Sequence, residues 1–198
     1  IMTFAGFFNF SPKTQLLWEY KYGETEYPER QDDNFNYTNY SAGLRGKISP
    51  KINGIIKFGW GEYDYDDGTQ KETELAEAQL NYHFSKRLHL KGSAAKSLEA
   101  STFAVSDSSE NTALKLSCRY FPPFNSKLTL VGNMVMKTIE LEDSSREDER
   151  FIWSVAASYG WRKWLKLRLR YKRATRESTR ANRDFTQNVI TLSGVSEF

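Results

Sequence analysis

Leu165-Lys166-Leu167-Arg168-Leu169-Arg170-Tyr171-Lys172 is the stretch that decides the fold, because apolar and cationic residues alternate along it without interruption. In a β-strand, such alternation places the apolar side chains on one face and the cations on the other. A helix would rotate successive residues by about 100° and scatter the charges around its surface. The stretch therefore predicts an extended strand with one face in an apolar medium and the other in water.

The same alternation recurs along the rest of the chain. Its clearest apolar series are Leu16, Trp18, Tyr20 and Tyr22; Ala76, Ala78, Leu80, Tyr82 and Phe84; and Leu114, Leu116, Cys118 and Tyr120. The pattern predicts about eleven strands, at 3–10, 14–24, 38–48, 52–63, 75–84, 88–97, 112–121, 127–140, 150–160, 164–175 and 186–198. Strands of about 10 to 13 residues are long enough to cross a bilayer at a tilt.

Short turn signals repeat about every 36 to 39 residues, which marks a repeated supersecondary unit. They are Ser11-Pro12-Lys13, Ser49-Pro50-Lys51, Ser85-Lys86-Arg87, Pro123-Phe124-Asn125 and Trp161-Arg162-Lys163. Longer polar stretches lie between them, near 25–37, 64–74, 98–111, 141–150 and 176–187. A unit of short turn, strand, long loop and strand predicts a transmembrane antiparallel up-and-down β-barrel, with short periplasmic turns and long external loops.

The composition favours such a barrel over a soluble β-sandwich. Only 39% of the residues are hydrophobic, which would give a thin soluble core, yet 15% are aromatic. No run approaches the roughly 18 consecutive apolar residues of a membrane-spanning helix. The single cysteine, Cys118, excludes an internal disulfide and any CxxC metal cluster. A soluble sandwich remains the alternative fold, and it predicts shorter strands with loops of equal length at both ends.

The two ends of the chain carry further predictions. Ile1-Met2-Thr3-Phe4 shows no signal peptide. The last residues alternate up to Phe198 and resemble the closing strand of outer-membrane proteins, which the barrel-assembly machinery reads at its terminal aromatic. With Phe198 at the periplasmic end, the odd strand count predicts that 1–198 is one domain, the C-terminal segment of a larger barrel whose N-terminal strands are missing.

Three stretches resemble the beta-barrel porin type two family of Gram-negative outer-membrane proteins: Leu44 to Lys51, Gly61 to Asp67, and Arg183 to Leu192. The resemblance covers most of the chain and implies a location in the bacterial outer membrane. Members are often encoded beside exopolysaccharide genes, which implies a role in passing or anchoring a polysaccharide. The family offers no catalytic motif to carry over, so the resemblance implies that the chain is not an enzyme.

The charges are sorted along the chain. The positions that alternation assigns to the barrel lumen are rich in cations: Lys21, Arg45, Lys47, Lys57, Lys91, Lys115, Arg119, Lys137, Lys166, Arg168, Arg170 and Lys172. The proposed external loops are acidic, with Glu24, Glu26, Glu29, Asp32, Asp33, Asp64, Asp66, Asp67, Glu140, Glu142, Asp143, Glu147, Asp148 and Glu149. A basic lumen predicts a preference for anions such as acidic sugars. A generic solvated wall, with local pairing to Glu19 and Glu77, is the other interpretation.

Aromatic residues cluster near the strand ends, which predicts the interfacial girdles of a membrane barrel. The girdle residues are Trp18, Tyr20, Trp60, Tyr82, Tyr120, Trp153, Tyr159 and Trp164, and Tyr63 and Tyr65 belong to the same clusters. A platform on which sugars stack is the alternative, and it requires aromatic side chains that face the lumen. Most of these residues share the lipid face, so we expect girdles.

The two histidines, His83 and His89, flank one short turn and could both point inward. A metal pair is geometrically possible, but no third ligand lies nearby in sequence. A hydrolase would need a nucleophile aligned with a histidine, and both histidines lie at the periplasmic rim. We therefore predict no metal, no cofactor and no catalytic residue.

Three functions stay open at this point. The chain could form a pore or scaffold for polysaccharide export, a general or anion-selective diffusion porin, or a sheath around a protein such as a multihaem cytochrome. The partners expected are outer-membrane lipid, the assembly machinery, and either polysaccharide-export proteins or a plug in the lumen. No nucleic-acid partner is expected.

Overall fold

The computed structural model describes residues 1–25, 34–66, 68–100, 108–141, 146–180 and 182–196. They form eleven strands: β1 Met2–Ser11, β2 Thr14–Thr25, β3 Phe35–Ser49, β4 Ile52–Tyr65, β5 Gln70–His83, β6 Leu88–Ala100, β7 Ser108–Tyr120, β8 Leu128–Leu141, β9 Arg146–Arg162, β10 Leu165–Ser178 and β11 Phe185–Ser196. All belong to one antiparallel sheet in which each strand pairs with the next along the chain. Within these ranges no pairing joins β1 to β11, so the described sheet is an open meander. None of the described residues forms a helix long and apolar enough to cross a membrane.

The all-β up-and-down architecture predicted from alternation is confirmed, and most strand boundaries agree within a few residues. The main difference is that strands extend into stretches assigned to external loops. β5 begins at Gln70 rather than 75, β7 begins at Ser108 rather than 112, and β10 ends at Ser178 rather than 175. Residues there are polar on both faces, so the hydropathy pattern vanishes although the backbone ladder continues.

One face of the sheet is apolar from β1 to β11. A single cross-strand row on it joins Leu16, Leu44, Ile56, Ala78, Ala94, Leu114, Met136 and Phe151. Large side chains on this face stay uncovered in the structure; Trp18 and Leu169 are each 53% exposed. An apolar surface of this extent is stable only against an apolar medium, as on the lipid side of a membrane barrel.

Four of the five short turns share one hydrogen-bonding unit, which explains their repeat in the sequence. A side-chain oxygen accepts a hydrogen bond from the backbone N–H two residues on: Ser11 from Lys13 at 3.2 Å, Ser49 from Lys51 at 3.3 Å, Ser85 from Arg87 at 3.2 Å, and Asn125 from Lys127 at 3.0 Å. Such local bonds stabilise tight turns. The carbonyl of the basic residue then accepts from the next hairpin: Lys13 from Lys47, Lys51 from His83, Arg87 from Phe121 and Lys127 from Gly160. The turn motif therefore also joins successive hairpins.

Gly46 is required by this joining unit. A Cβ at position 46 would collide with the backbone carbonyl of Lys13, which receives the hydrogen bond from Lys47. Gly46→Ala should therefore lower the free energy of unfolding by about 1–3 kcal/mol. Gly132→Ala is the control, because a Cβ there would meet nothing within 4 Å. Guanidinium unfolding of the full-length protein in detergent measures both, and equal midpoints for the two variants would contradict the assignment.

The assignment of the two faces gives a second prediction. Leu167 lies on the apolar face of β10, opposite Tyr159 and Gly194, and Lys166 lies on the other face. Nitroxide labels at positions 167 and 166 should report lipid and water respectively in proteoliposomes. Oxygen, which partitions into lipid, should increase the spin relaxation rate of the label at position 167 more strongly. A water-soluble nickel chelate should increase that of the label at position 166 more strongly. The same accessibility at both positions would disprove the register.

Candidate functional site

The candidate site is the polar face of the sheet, opposite the apolar face. The strand register places all the predicted lumen cations on it: Lys21, Arg45, Lys47, Lys57, Lys91, Lys115, Arg119, Lys137, Lys166, Arg168, Arg170 and Lys172. Lys71 on β5, Arg150 on β9 and Arg176 on β10 share the face, and our sequence reading missed them. Arg176 falls one residue beyond the predicted end of its strand, where continued alternation would have found it.

Lys57 bridges two carboxylates at the β2–β5 end of the polar face. Its Nζ lies 2.8 Å from Glu77 on β5 and 4.0 Å from Glu19 on β2. The second contact crosses over β3, where the cross-strand neighbour of Lys57 is Gly43. A Cβ on Gly43 would come within 2.9 Å of the Lys57 Cγ. The small residue on β3 therefore lets one lysine serve two carboxylates.

Asp148 forms a further ion pair on this face. Its carboxylate is fully buried and accepts a hydrogen bond from Arg176 at 2.6 Å. The sequence reading placed Asp148 in an acidic external loop, and that is wrong: it is a β9 residue on the polar face. Glu24, Asp64, Glu140, Glu147 and Glu149, assigned to the same loops, are also strand residues. The two charges of a buried ion pair stabilise each other, because loss of either partner leaves an unpaired buried charge.

Three cations from adjacent strands meet beside Asp148. Lys137 on β8 is the register partner of Arg150 on β9, and Arg150 is the partner of Arg176 on β10. The Nε atoms of Arg150 and Arg176 are buried and have no hydrogen-bond acceptor within the described part of the chain. The register thus places Lys137 and Arg150 in one row with Arg176, the partner of Asp148.

β10 carries the longest cationic series, which we call the basic ladder: Lys166, Arg168, Arg170 and Lys172. Its register neighbours on β9 and β11 are small or uncharged: Gly160 and Val195, Ser158 and Ser193, Ala156 and Thr191, Ser154 and Val189. Arg170 donates a long hydrogen bond to Ser154, at 3.4 Å, while its buried Nε has no acceptor among the described residues. Arg168, Arg170 and Lys172 are therefore not neutralised by their register neighbours on β9 and β11.

A second, looser group of cations lies on β6 and β7. Lys91, Lys115 and Arg119 are exposed. Their register partners, such as Ser117, Ser93 and His89, carry no carboxylate. These cations add to the positive charge of the face, but Ser117 separates Lys115 from Arg119, so they form no continuous series.

The two histidines do meet, as the sequence allowed. His83 and His89 are register partners with ring centroids 4.8 Å apart, and Phe121 lies 5.8 Å from the His89 ring. His89 also pairs with Arg119 on β7. In the described ranges no group of three or more histidine, cysteine or carboxylate side chains could hold a metal ion. The adjacent arginine disfavours a bound metal cation electrostatically.

The aromatic residues divide between the two faces. Trp18, Tyr20, Trp60, Tyr82, Tyr120, Trp153 and Tyr159 lie on the apolar face, and Trp164 lies in the turn between β9 and β10. The girdle assignment of Tyr63 and Tyr65 is wrong, because both share the polar face of β4. There they pack with Phe35 and Tyr37, at centroid distances from 5.3 to 6.2 Å. The face of the sheet on which an aromatic residue lies, and not its closeness to the strand end, therefore decides which medium its side chain contacts.

The proposed assembly signal, Phe198, lies outside the described residues. Its role stays a prediction, as does the pore-lining role of the cations on the polar face.

Comparison with known proteins agrees with this geometry. The chain is similar in structure to the outer membrane channel DcaP of Acinetobacter baumannii, with a TM-score of 0.74 at 12% identity over 98% of this chain and 62% of that one. It is also similar to a loop-deletion mutant of OmpT, an outer membrane protein of Vibrio cholerae, with a TM-score of 0.57 at 9% identity and the same coverages. The chain thus spans about three fifths of the length of either protein. No curated protein matches.

A family model matches residues 3–197, nearly the whole length. Together with the outer-membrane neighbours, the match places the protein in the bacterial outer membrane. The chain belongs to the family described as "Putative beta-barrel porin 2".

Proposed function

We propose that the protein is a channel whose lumen, lined by the polar face, favours anions. The observation that carries this proposal is how the charges are paired. Of the carboxylates at strand positions of this face, Glu19, Glu77 and Asp148 each lie within 4.0 Å of a cation of the same face. Arg168, Arg170 and Lys172 on β10 and the cations on β6 and β7 have no such carboxylate beside them and contribute positive charge.

The physics of a pore amplifies this charge. A low-dielectric wall focuses the field of its fixed charges into the water that it encloses, and so raises the local concentration of anions. At physiological salt the Debye length is about 8 Å, so lumen charges act over a useful part of a wide aqueous pore. Exchangeable anions then balance the positive charge of the wall.

We propose further that strands beyond this sequence complete the wall. β1 and β11 each have one neighbour in the described sheet. In lipid, their free N–H and C=O groups would lack partners, at several kcal/mol per group. A closed barrel removes such edges.

The finer role that we propose is passage of an acidic polysaccharide, in keeping with the family resemblance of the sequence. Transport needs no catalytic residue, and we infer that the protein is not an enzyme. A sheath around a protein partner is the competing proposal. It requires a plug that covers the lumen cations and abolishes conductance.

Ion selectivity tests the proposal directly. In planar bilayers under a KCl gradient, the full-length protein should show a reversal potential that favours anions, and the preference should shrink as salt rises. Arg168→Gln with Arg170→Gln should reduce the preference and leave assembly nearly intact, because lumen substitutions tune selectivity.

The charge-matched control is Arg173→Gln with Arg180→Gln. Arg173 lies on the apolar-face side of β10 near its outer end, and Arg180 lies beyond that strand. This pair should leave the selectivity unchanged. A conducting channel without anion preference at low salt would contradict the proposal, and a folded barrel that does not conduct would favour the sheath.

A further inference from the structure

We propose that β10 is a binding track for a linear polyanion, which it holds through several cations at once. The inference rests on the proposed function and adds the strand that holds the polyanion. Its basis is the contrast between the basic ladder and the other cations of the polar face.

The ladder is straight and evenly spaced. Lys166, Arg168, Arg170 and Lys172 occupy alternate positions of one unbroken strand, so successive cations are about 6.6 to 6.8 Å apart. This spacing is below the Debye length of about 8 Å at physiological salt. An anion that leaves one cation therefore already feels the next, and a chain of anions can contact several together.

The register neighbours of the ladder are small. Arg168 lies between Ser158 and Ser193, and Arg170 between Ala156 and Thr191. These short side chains offer no carboxylate, and Arg168 stays exposed between them. By contrast, Lys57 has Glu77 as a register partner, and the Nζ–carboxylate distance is 2.8 Å.

The repeated cations of the ladder favour a ligand with several acceptor groups. Arg168 is exposed, and Arg168, Arg170 and Lys172 form no ion pair with a described carboxylate. Carboxylates, sulfates or phosphates repeated along a chain would supply charge-assisted hydrogen bonds to successive guanidinium groups. A monovalent anion could satisfy only one of them.

Simultaneous contacts raise affinity by effective concentration. Once one anionic group is bound, its linked neighbour meets the next cation at an effective concentration of about millimolar or more. We therefore expect a linear tetra-anion to bind at least about tenfold more tightly than its monomer at equal total carboxylate.

Calorimetry with the full-length protein in detergent tests the track, with tetragalacturonate, galacturonate and neutral maltotetraose as probes. Tetragalacturonate should bind about tenfold or more tightly than galacturonate, and maltotetraose should not bind. Arg168→Gln, Arg170→Gln and Lys172→Gln together should abolish the advantage of the tetramer. Lys91→Gln, Lys115→Gln and Arg119→Gln remove the same charge from β6 and β7, and should keep that advantage within about twofold. Heat-modifiability on gels confirms that both triple variants are folded barrels.

The outcomes separate the two proposals. Equal losses in the two triple variants would overturn the track, because a diffuse field would then explain the binding. Equal affinity of tetramer and monomer for the wild-type protein would also overturn it, even where the channel prefers anions. A tetramer advantage that is lost only in the β10 variant supports the track, and it does so even if reversal potentials show no preference among small ions and the proposed channel function fails.

Discussion

The whole structure depends on one constraint: in lipid, every backbone N–H and C=O must find a partner within the protein. A sheet meets it by pairing each strand with its neighbours, and then side chains alternate strictly between two faces. Each residue therefore has its medium assigned by its register rather than by its hydrophobicity. Leu167 and Arg168 are adjacent in sequence, yet the backbone pairing of β10 places them on opposite faces of the sheet.

This constraint explains how much the sequence could predict. Where lipid lies on one side and water on the other, alternation is visible in the sequence, and β10 was predicted within a few residues. Where water or protein lies on both sides of a strand, apolar and polar residues no longer alternate along it. Glu62 and Glu72 are register partners, as are Tyr63 and Lys71, and nothing in their hydrophobicity reveals that pairing. Fold class was therefore predictable, whereas the outer strand ends were not.

The site shows the same limit. The alternation along each strand correctly predicted the face on which the predicted lumen cations lie. It would have placed Arg176 on that face too if the predicted β10 had continued past residue 175. Ion pairing could not be predicted, because it depends on contacts between strands. Asp148 looked like one of many loop carboxylates, but the register of β9 and β10 buries it against Arg176. Lys57 contacts a carboxylate on β2 across an intervening strand, and sequence alone gives no sign of that contact.

Small residues decide which cations stay unpaired. Beside Lys57, the absence of a side chain at Gly43 opens a path to Glu19 on the strand beyond, and the lysine is neutralised. Beside Arg168 and Arg170, small neighbours open the same kind of space, but no described carboxylate lies within salt-bridge distance to fill it. A small neighbour therefore has opposite electrostatic results at the two places, depending on whether an acidic residue lies within reach. The charges of Arg168 and Arg170 are consequently not cancelled by their neighbours on β9 and β11.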